Sequence, residues 1–249
     1  MAARVDTAMV LAAGRGERLR PLTERVPKPL VPVGGRPMVA HVLALLARHG
    51  ITRVHMNTHH LGERLPDALG DGRRFGVTVT YHPEDVLLGT GGGLLNARHH
   101  NPELADGPFV MINADVLCDV DLSAVIARHL QTGALATLVL RPDPAQAAFG
   151  ILAFDDGGRI RRFLEVDTGP APHERMFTGI QVLSPGIFRL MPDGGAFPIT
   201  DCYKAALRAG MALAAFDHAG YWNDLGTPER LLNAEADIAA GRFVPPVAP

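Results

Sequence analysis

The chain has little cysteine: its 249 residues hold only Cys118 and Cys202. Two thiols cannot build a disulfide framework, which excludes the small secreted scaffolds that depend on one and fits a reducing compartment. An excess of charge of one sign is also missing. Lys and Arg total 24 against 26 Asp and Glu, a formal net charge of -2, so no broad basic field exists to hold a nucleic-acid backbone. Long hydrophobic runs are absent as well: none approaches the roughly 20 residues that span a bilayer. Arg4 precedes a short apolar stretch that runs into glycines, which is not the layout of a signal peptide. These absences predict a soluble, cytoplasmic protein with no nucleic-acid or membrane partner. What is present is ordinary for a globular chain, 47% hydrophobic and 20% charged residues, enough to core one large α/β domain.

The pattern along the chain begins with an apolar run, Ala8 to Ala13, stopped by Gly14-Arg15-Gly16. That reads as a buried strand of a parallel sheet feeding a loop. A helix starting at Pro37, with Met38, Val42, Leu45 and Leu46 on one face, ends at Gly50. Strands at 51–56 and 77–81 flank a short helix at 62–69. A glycine cluster, Gly89 to Gly93, precedes a further helix, followed by a strand at 109–112, a helix at 122–130 and a strand at 134–140. This alternation predicts an α/β fold, a Rossmann-like and mostly parallel mixed sheet with helices on both faces. From about Phe149 the texture changes to short runs, 150–154, 160–163 and 177–183, between Gly/Pro turns, which predicts an antiparallel extension. A helix at 200–209, a strand at 212–216 and a helix at 228–240 close the domain. The expected organisation is one domain over 1–241, with halves at about 1–148 and 149–241, and a proline-rich tail at 242–249 in which Val244 to Pro249 is expected to be loose or extended.

The residues with chemistry start at 11–30, LAAGRGERLRPLTERVPKPL. Glycines at a strand end let the backbone approach a ligand and present N–H donors to an anion. Arg18 and Lys28 add two cations, the set wanted for a triphosphate. Pro27 and Pro29 bracket Lys28, which predicts an extended backbone there. No Gly-Lys-Ser/Thr closes a Walker loop, and the run does not follow the dinucleotide GxGxxG spacing.

This stretch resembles the signature loop of the sugar-1-phosphate nucleotidylyltransferases: a glycine-rich loop, Arg-Leu, Pro-Leu-Thr, then Pro-Lys-Pro. The resemblance runs to about Gly241. It implies a reaction between an NTP and a sugar 1-phosphate with Mg²⁺ as cofactor, Arg18 and Lys28 as catalytic cations, and Ala12, Ala13, Gly14 and Gly16 against the nucleotide. It also implies that Glu84 reads the base and that Gly89, Thr90 and Gly91 lie against the nucleobase and ribose; a plain flexible loop is the alternative for the glycines. Asp115 follows a strand at its carboxyl end, where ligands of open α/β sheets bind, and Asp224 precedes a helix. The resemblance makes these two the metal carboxylates, against plain roles as turn or cap residues. Asp119 and Asp121 read as loop and cap residues.

On the acceptor side the resemblance places Asn113, Gly150, Glu165, Thr178 and Gly179 against the sugar phosphate. Here the chain departs from the pattern. Many members follow the glutamate with a phosphate-gripping lysine, whereas this chain reads Glu165-Val166-Asp167, which leaves that cation to Arg175 or a loop arginine. The His59-His60 and His99-His100 pairs read as surface or loop histidines, because adjacent side chains diverge. Cys118 and Cys202 read as buried thiols, and Trp222 as a core anchor or a stacking surface. Within the family the short chain and the Thr-Gly-Gly-Gly run look most like N-acetylmuramate-1-phosphate uridylyltransferases, with mannose- or heptose-1-phosphate guanylyltransferases as the alternative. A monomer or small homo-oligomer is expected. Two other classes compete: a non-catalytic nucleotide-sugar sensor on the same fold, and a nicotinamide oxidoreductase, for which the loop lacks the fingerprint.

Overall fold

A computed structural model describes residues 5–143 and 150–247; the half boundary expected near 148–149 lies outside them. In chain order the elements begin β1 (Thr7–Leu11), β2 (Pro32–Val33), β3 (Arg36–Pro37), α1 (Met38–Arg48), β4 (Arg53–Thr58), α2 (Arg64–Leu69) and β5 (Thr78–Pro83). Next come α3 (Gly89–His100), β6 (Phe109–Asn113), β7 (Leu117–Cys118), α4 (Leu122–Thr132) and β8 (Ala136–Arg141). The chain then forms β9 (Ile151–Phe154), β10 (Ile160–Phe163), β11 (Val166–Asp167), β12 (His173–Leu183), α5 (Ile199–Arg208), β13 (Leu213–Asp217), β14 (Trp222–Asn223) and α6 (Pro228–Ala239). These elements form two units interleaved in sequence. The first takes Asp6–Leu87, Ile112–Val120 and the chain from Gly220; the second takes Leu88–Met111 and Asp121–Ala219.

In the first unit β1 pairs in parallel with β4, Thr7 opposite Arg53, and β4 in parallel with β5, Arg53 opposite Thr78. Parallel neighbours need a crossover, and α1 supplies it between β1 and β4. The apolar run is what makes β1 a buried strand: Ala8, Met9 and Val10 are fully inside. Burying a side chain such as Met9 or Val10 contributes about 1.5–3 kcal/mol. Helix α1 buries Met38, Val39, Val42, Leu43 and Leu46 and ends on Gly50, whose φ of 74° only glycine adopts without strain.

The second unit is built on β12, antiparallel to both β8 and β9; β10 and β11 extend β9 as hairpins, and β13 joins β8 in parallel. Helix α4 starts on Asp121, whose carboxylate accepts from Ala124 N at 3.1 Å, so its expected capping role is met. The expected fold class holds: an α/β fold with a parallel ladder and an antiparallel extension. Among the described residues no helix is long and apolar enough to cross a membrane.

Two local expectations need correction. The glycine cluster is not a loop before a helix but the first turns of α3, which starts at Gly89. Glycine is a poor helix former, yet here tertiary contact outweighs propensity: Phe197 O accepts from Gly91 N at 2.9 Å, and the Phe197 ring occupies the space a side chain at Gly91 would need. Lys28 does not sit in extended chain either, but begins a 3₁₀ turn to Leu30, closed by Leu30 N to Pro27 O at 2.8 Å. Proline at the start of a turn suits helical φ, which accounts for Pro29 there. After α6, Phe243 is 3% exposed, whereas Val244 and Val247 beyond it are exposed.

Candidate functional site

Where β1 ends, Ala12 and Ala13 are buried and the backbone turns outward. Ala12 N–H donates to Asn57 Oδ1 at 2.9 Å, and Asn57 Nδ2 donates to Glu84 Oε1 at 2.7 Å. These two bonds fix the orientation of the Asn57 amide and aim a buried carboxylate from the end of β5. A carboxylate only accepts, so Glu84 favours whatever brings a donor to it. His59 bonds the Glu84 carbonyl through Nδ1 at 2.8 Å.

The loop beyond folds on itself. Gly16 adopts φ 65°, and a side chain there would meet Thr23 Cγ2 at 2.8 Å and Lys28 Cβ at 3.0 Å. That glycine is therefore required by the loop's own packing, whereas nothing lies within 4 Å of a side chain at Gly14. Thr23 Oγ1 donates to Gly16 O at 2.8 Å, and His60 Nε2 lies 2.8 Å from Thr23 O. His60 thus fastens the loop, a role that a His-His dipeptide does not reveal in sequence.

Five charged residues of this first unit form two groups. Lys28 Nζ is paired with Asp115 Oδ2, the two side chains 13% and 22% exposed. Asp115 lies just past β6, where Ala114 N donates to Leu11 O at 3.0 Å; Asn113 is the half-buried last residue of that strand. Asp224 is paired with Arg230 of α6 and accepts from Gly226 N at 3.2 Å. A methyl group on Gly226 would lie 2.7 Å from Arg18 Nη2 and 3.2 Å from Asp224 Oδ2, so the Arg18 head rests on the Asp224 turn. Between them Leu225 adopts φ 45° with its side chain fully buried. A left-handed backbone costs such a residue about 1–2 kcal/mol.

The two aspartates belong to one small ladder. Strands β7 and β14 pair antiparallel, Trp222 opposite Cys118 and Asn223 opposite Leu117. Continued one step, that register sets position 224 opposite 116, next to Asp115. Among the described residues no group of three or more His, Cys, Asp or Glu forms a ready-made metal cage. Mg²⁺ does not need one: it takes one or two carboxylates and completes its shell with water and phosphate oxygens. Asp115 and Asp224 fit that donor set. Burial pushes the Cys118 thiol up to about 12 and that of Cys202 up to about 11, so neither is a thiolate or an activated nucleophile at neutral pH.

In the second unit Gly89, Thr90 and Gly91 open α3, and Thr90 Oγ1 accepts from Ile199 N at 2.8 Å. Glu165 lies in the two-residue turn between β10 and β11, where Phe163 is opposite Val166. Its neighbour Leu164 adopts φ 53° and lies over Gly150, whose φ of 85° and missing side chain make the space. Val166 is 7% exposed and faces the core. Helix α5 brings a cation instead: Lys204 Nζ lies 3.3 Å from Glu165 Oε1 and 2.8 Å from Asp201 Oδ1, with Arg208 Nη2 3.7 Å from Glu165. A hydrogen bond from its own backbone N–H, and then the nearby Lys204 and Arg208, hold the Glu165 carboxyl below its ordinary range. Sequence reading missed Lys204, because nothing local links residue 204 to residue 165. Arg175, the expected substitute, is committed elsewhere, with two bonds to Asp217 at 2.8 and 2.7 Å. Thr178 is buried, its hydroxyl donated to Val139 O at 2.7 Å, and Gly179 (φ 78°) sits where the β12–β8 register shifts.

Comparison with known proteins gives a consistent pattern. The family profile described as "Nucleotidyl transferase" matches residues 7–241. An N-acetylmuramate alpha-1-phosphate uridylyltransferase of Neisseria meningitidis is 35% identical over 92% of this chain and 96% of its own length. A UTP--glucose-1-phosphate uridylyltransferase of Synechocystis is 32% identical over 88% of this chain, which spans only 60% of that relative. A mannose-1-phosphate guanylyltransferase of Mycobacterium tuberculosis is 32% identical over 97% of this chain and 67% of its own length. Among solved structures, a Bacillus anthracis protein provisionally assigned as a glucose-1-phosphate thymidylyltransferase superposes with a TM-score of 0.78 at 27% identity, covering 92% of this chain and 94% of that one.

Proposed function

The chain belongs to the nucleotidyl transferase family, and on that premise we propose that it joins an NTP to a sugar 1-phosphate with release of pyrophosphate. Two observations carry the proposal: Lys28 pairs with Asp115, and Arg18 rests on the Asp224 turn. Two cations and two carboxylates at the end of a glycine loop suit a polyphosphate better than a neutral ligand.

In the proposed reaction a phosphate oxygen of the sugar 1-phosphate attacks the α-phosphorus in line. The bond from that phosphorus to the bridging oxygen breaks, and pyrophosphate leaves with the electron pair. A phosphate nucleophile is already ionised at neutral pH, so the protein contributes position and charge rather than a base. Arg18 and Lys28 stabilise the charge that grows on the leaving pyrophosphate. Backbone N–H groups of Ala13 to Gly16 face the phosphates, while Ala12, whose own N–H is held by Asn57, lies against the nucleotide. Asp115 and Asp224 would hold Mg²⁺, which when bound supplies charge neutralisation on the phosphate oxygens. Glu84 receives a donor from the base, and Gly89, Thr90 and Gly91 serve the nucleoside. On the acceptor side Asn113, Gly150, Glu165, Thr178 and Gly179 define the sugar-phosphate region, with Lys204 as the cation that the chain lacks after Glu165.

For the base and sugar, the Neisseria relative supports UTP and N-acetylmuramate 1-phosphate, because this chain matches it nearly end to end. A specific observation favours a second reading. Glu84 offers an acceptor-only carboxylate, and guanine brings two adjacent donors to such a group where uracil brings one; GTP with a mannose or heptose 1-phosphate would use it fully. The test is pyrophosphate release over four NTPs and a panel of sugar 1-phosphates, with Mg²⁺ present and then chelated. Turnover with UTP and N-acetylmuramate 1-phosphate supports the first reading, and turnover confined to GTP the second. Nucleotide binding without release from any pair would sink the transfer reading in favour of a nucleotide-sugar sensor.

A further inference from the structure

The match to the family profile ends at residue 241, and the sequence beyond is proline-rich. Phe243 nevertheless shares one buried cluster with Leu19, Leu117 and Leu225. Leu19 follows Arg18, Leu225 follows Asp224, and Leu117 is the second residue after Asp115. Three of the charged residues described above therefore have a close chain neighbour anchored in the cluster that holds Phe243.

The connection to the β7–β14 ladder is direct. The Phe243 ring stacks on Tyr221, with centroids 4.5 Å apart and planes at 21°. Tyr221 leads into β14, and its carbonyl accepts from Asp119 N, just past β7, at 3.3 Å. The segment is fastened along its length. Asp237 of α6 accepts from Tyr221 Oη at 2.8 Å and from Arg242 Nε at 2.7 Å. Further on, Arg36 Nη2 donates to Pro246 O at 3.0 Å.

We infer that Phe243 is a positioning residue, which through Tyr221 and the β7–β14 ladder fixes where Asp115 and Asp224 stand relative to Arg18. The chemical roles of those three rest on the nucleotidyl-transfer reading, whereas the mechanical coupling does not. The test compares Phe243→Ala with Leu65→Ala, a fully buried residue of α2 outside the cluster, as a control for destabilisation alone. Amide hydrogen exchange of residues 117–118 and 222–223 is expected to quicken at least about tenfold more than that of β1 in Phe243→Ala, and evenly in Leu65→Ala. Turnover is expected to fall about 10- to 100-fold, with half-saturating Mg²⁺ raised and KM for the sugar phosphate within about twofold. Phe243→Leu keeps an apolar side chain, a smaller one, and removes the stack; it gives the same pattern more weakly and carries the test if the alanine variant does not fold. Exchange at 117–118 and 222–223 that merely follows β1, or turnover and Mg²⁺ dependence that merely follow the Leu65 control, would overturn the inference. A wild-type protein that releases no pyrophosphate would defeat the functional reading, and the exchange comparison would still decide the coupling.

Discussion

The Lys28–Asp115 pair allows stability and catalysis to be separated within one set of variants. The perturbation is Lys28→Met and Asp115→Asn, singly and together. Their side chains are 13% and 22% exposed. That places the pair between a surface ion pair, worth under about 1 kcal/mol, and a buried one, where loss of one partner costs about 3–5 kcal/mol. Each single substitution is accordingly expected to destabilise the fold by about 1–3 kcal/mol, because it leaves the opposite charge without its partner. The second substitution removes that stranded charge, so the double variant falls short of the sum by about 1–2 kcal/mol. Activity follows a different rule. Each single variant is expected to lose about 10²–10³ in kcat/KM, equivalent to about 2.7–4 kcal/mol of transition-state stabilisation, and the double variant recovers none of it. Urea unfolding curves give the first cycle, and pyrophosphate release at saturating Mg²⁺ the second. Stabilities additive within about 0.5 kcal/mol would refute the pair as a coupled unit. Near wild-type turnover in Asp115→Asn would refute its place in the chemistry.

Three further outcomes are expected. Gly226→Ala is expected to displace the Arg18 head, 2.7 Å from the added methyl, and to lower kcat/KM about 10- to 100-fold with thermal stability almost unchanged; unaltered kinetics would show that Arg18 works from another position. Lys204→Met is expected to raise KM for the sugar 1-phosphate about tenfold or more while KM for the NTP stays within about twofold, with partial rescue by Lys204→Arg; equal changes in both constants would reduce Lys204 to a surface tether. His129, buried between Thr137 Oγ1 at 3.0 Å and Ser184 Oγ at 2.9 Å, is pushed by burial from 6.5 down to about 4. The unfolded chain therefore takes up this proton first as pH falls, so the contribution is complete above about pH 6.5 and declines toward pH 4 by about 3 kcal/mol. Unfolding midpoints of wild type and His129→Gln that decline in parallel across that window would refute it.

The parts of the fold that could be read in advance are those where burial leaves a local period. The apolar run Ala8 to Ala13 and the apolar face of α1 are examples, since a strand buried on both sides and an amphipathic helix each carry their environment in adjacent residues. The glycine-rich loop with Arg18 and Lys28 was readable for the same reason, as a dense local motif. What escaped was the packing made by residues far apart in sequence. Strands β7 and β14 are two residues each, too short for a period, yet they pair, Trp222 opposite Cys118 and Asn223 opposite Leu117. Lys204 reaches Glu165 from a different element, so the position after Glu165 could become Val166, with its side chain in the core, while a cation remained beside the carboxylate. The glycines of α3 looked like a loop because propensity alone disfavours them in a helix, and Phe197 is what reverses that judgement. Phe243 was hidden by the prolines around it, which forbid a helix but not docking. In each case local composition indicated which conformations were possible, and a distant partner selected among them. The chemistry-bearing residue types can therefore be named from sequence, whereas the groups that hold them in place are found only when the chain is folded.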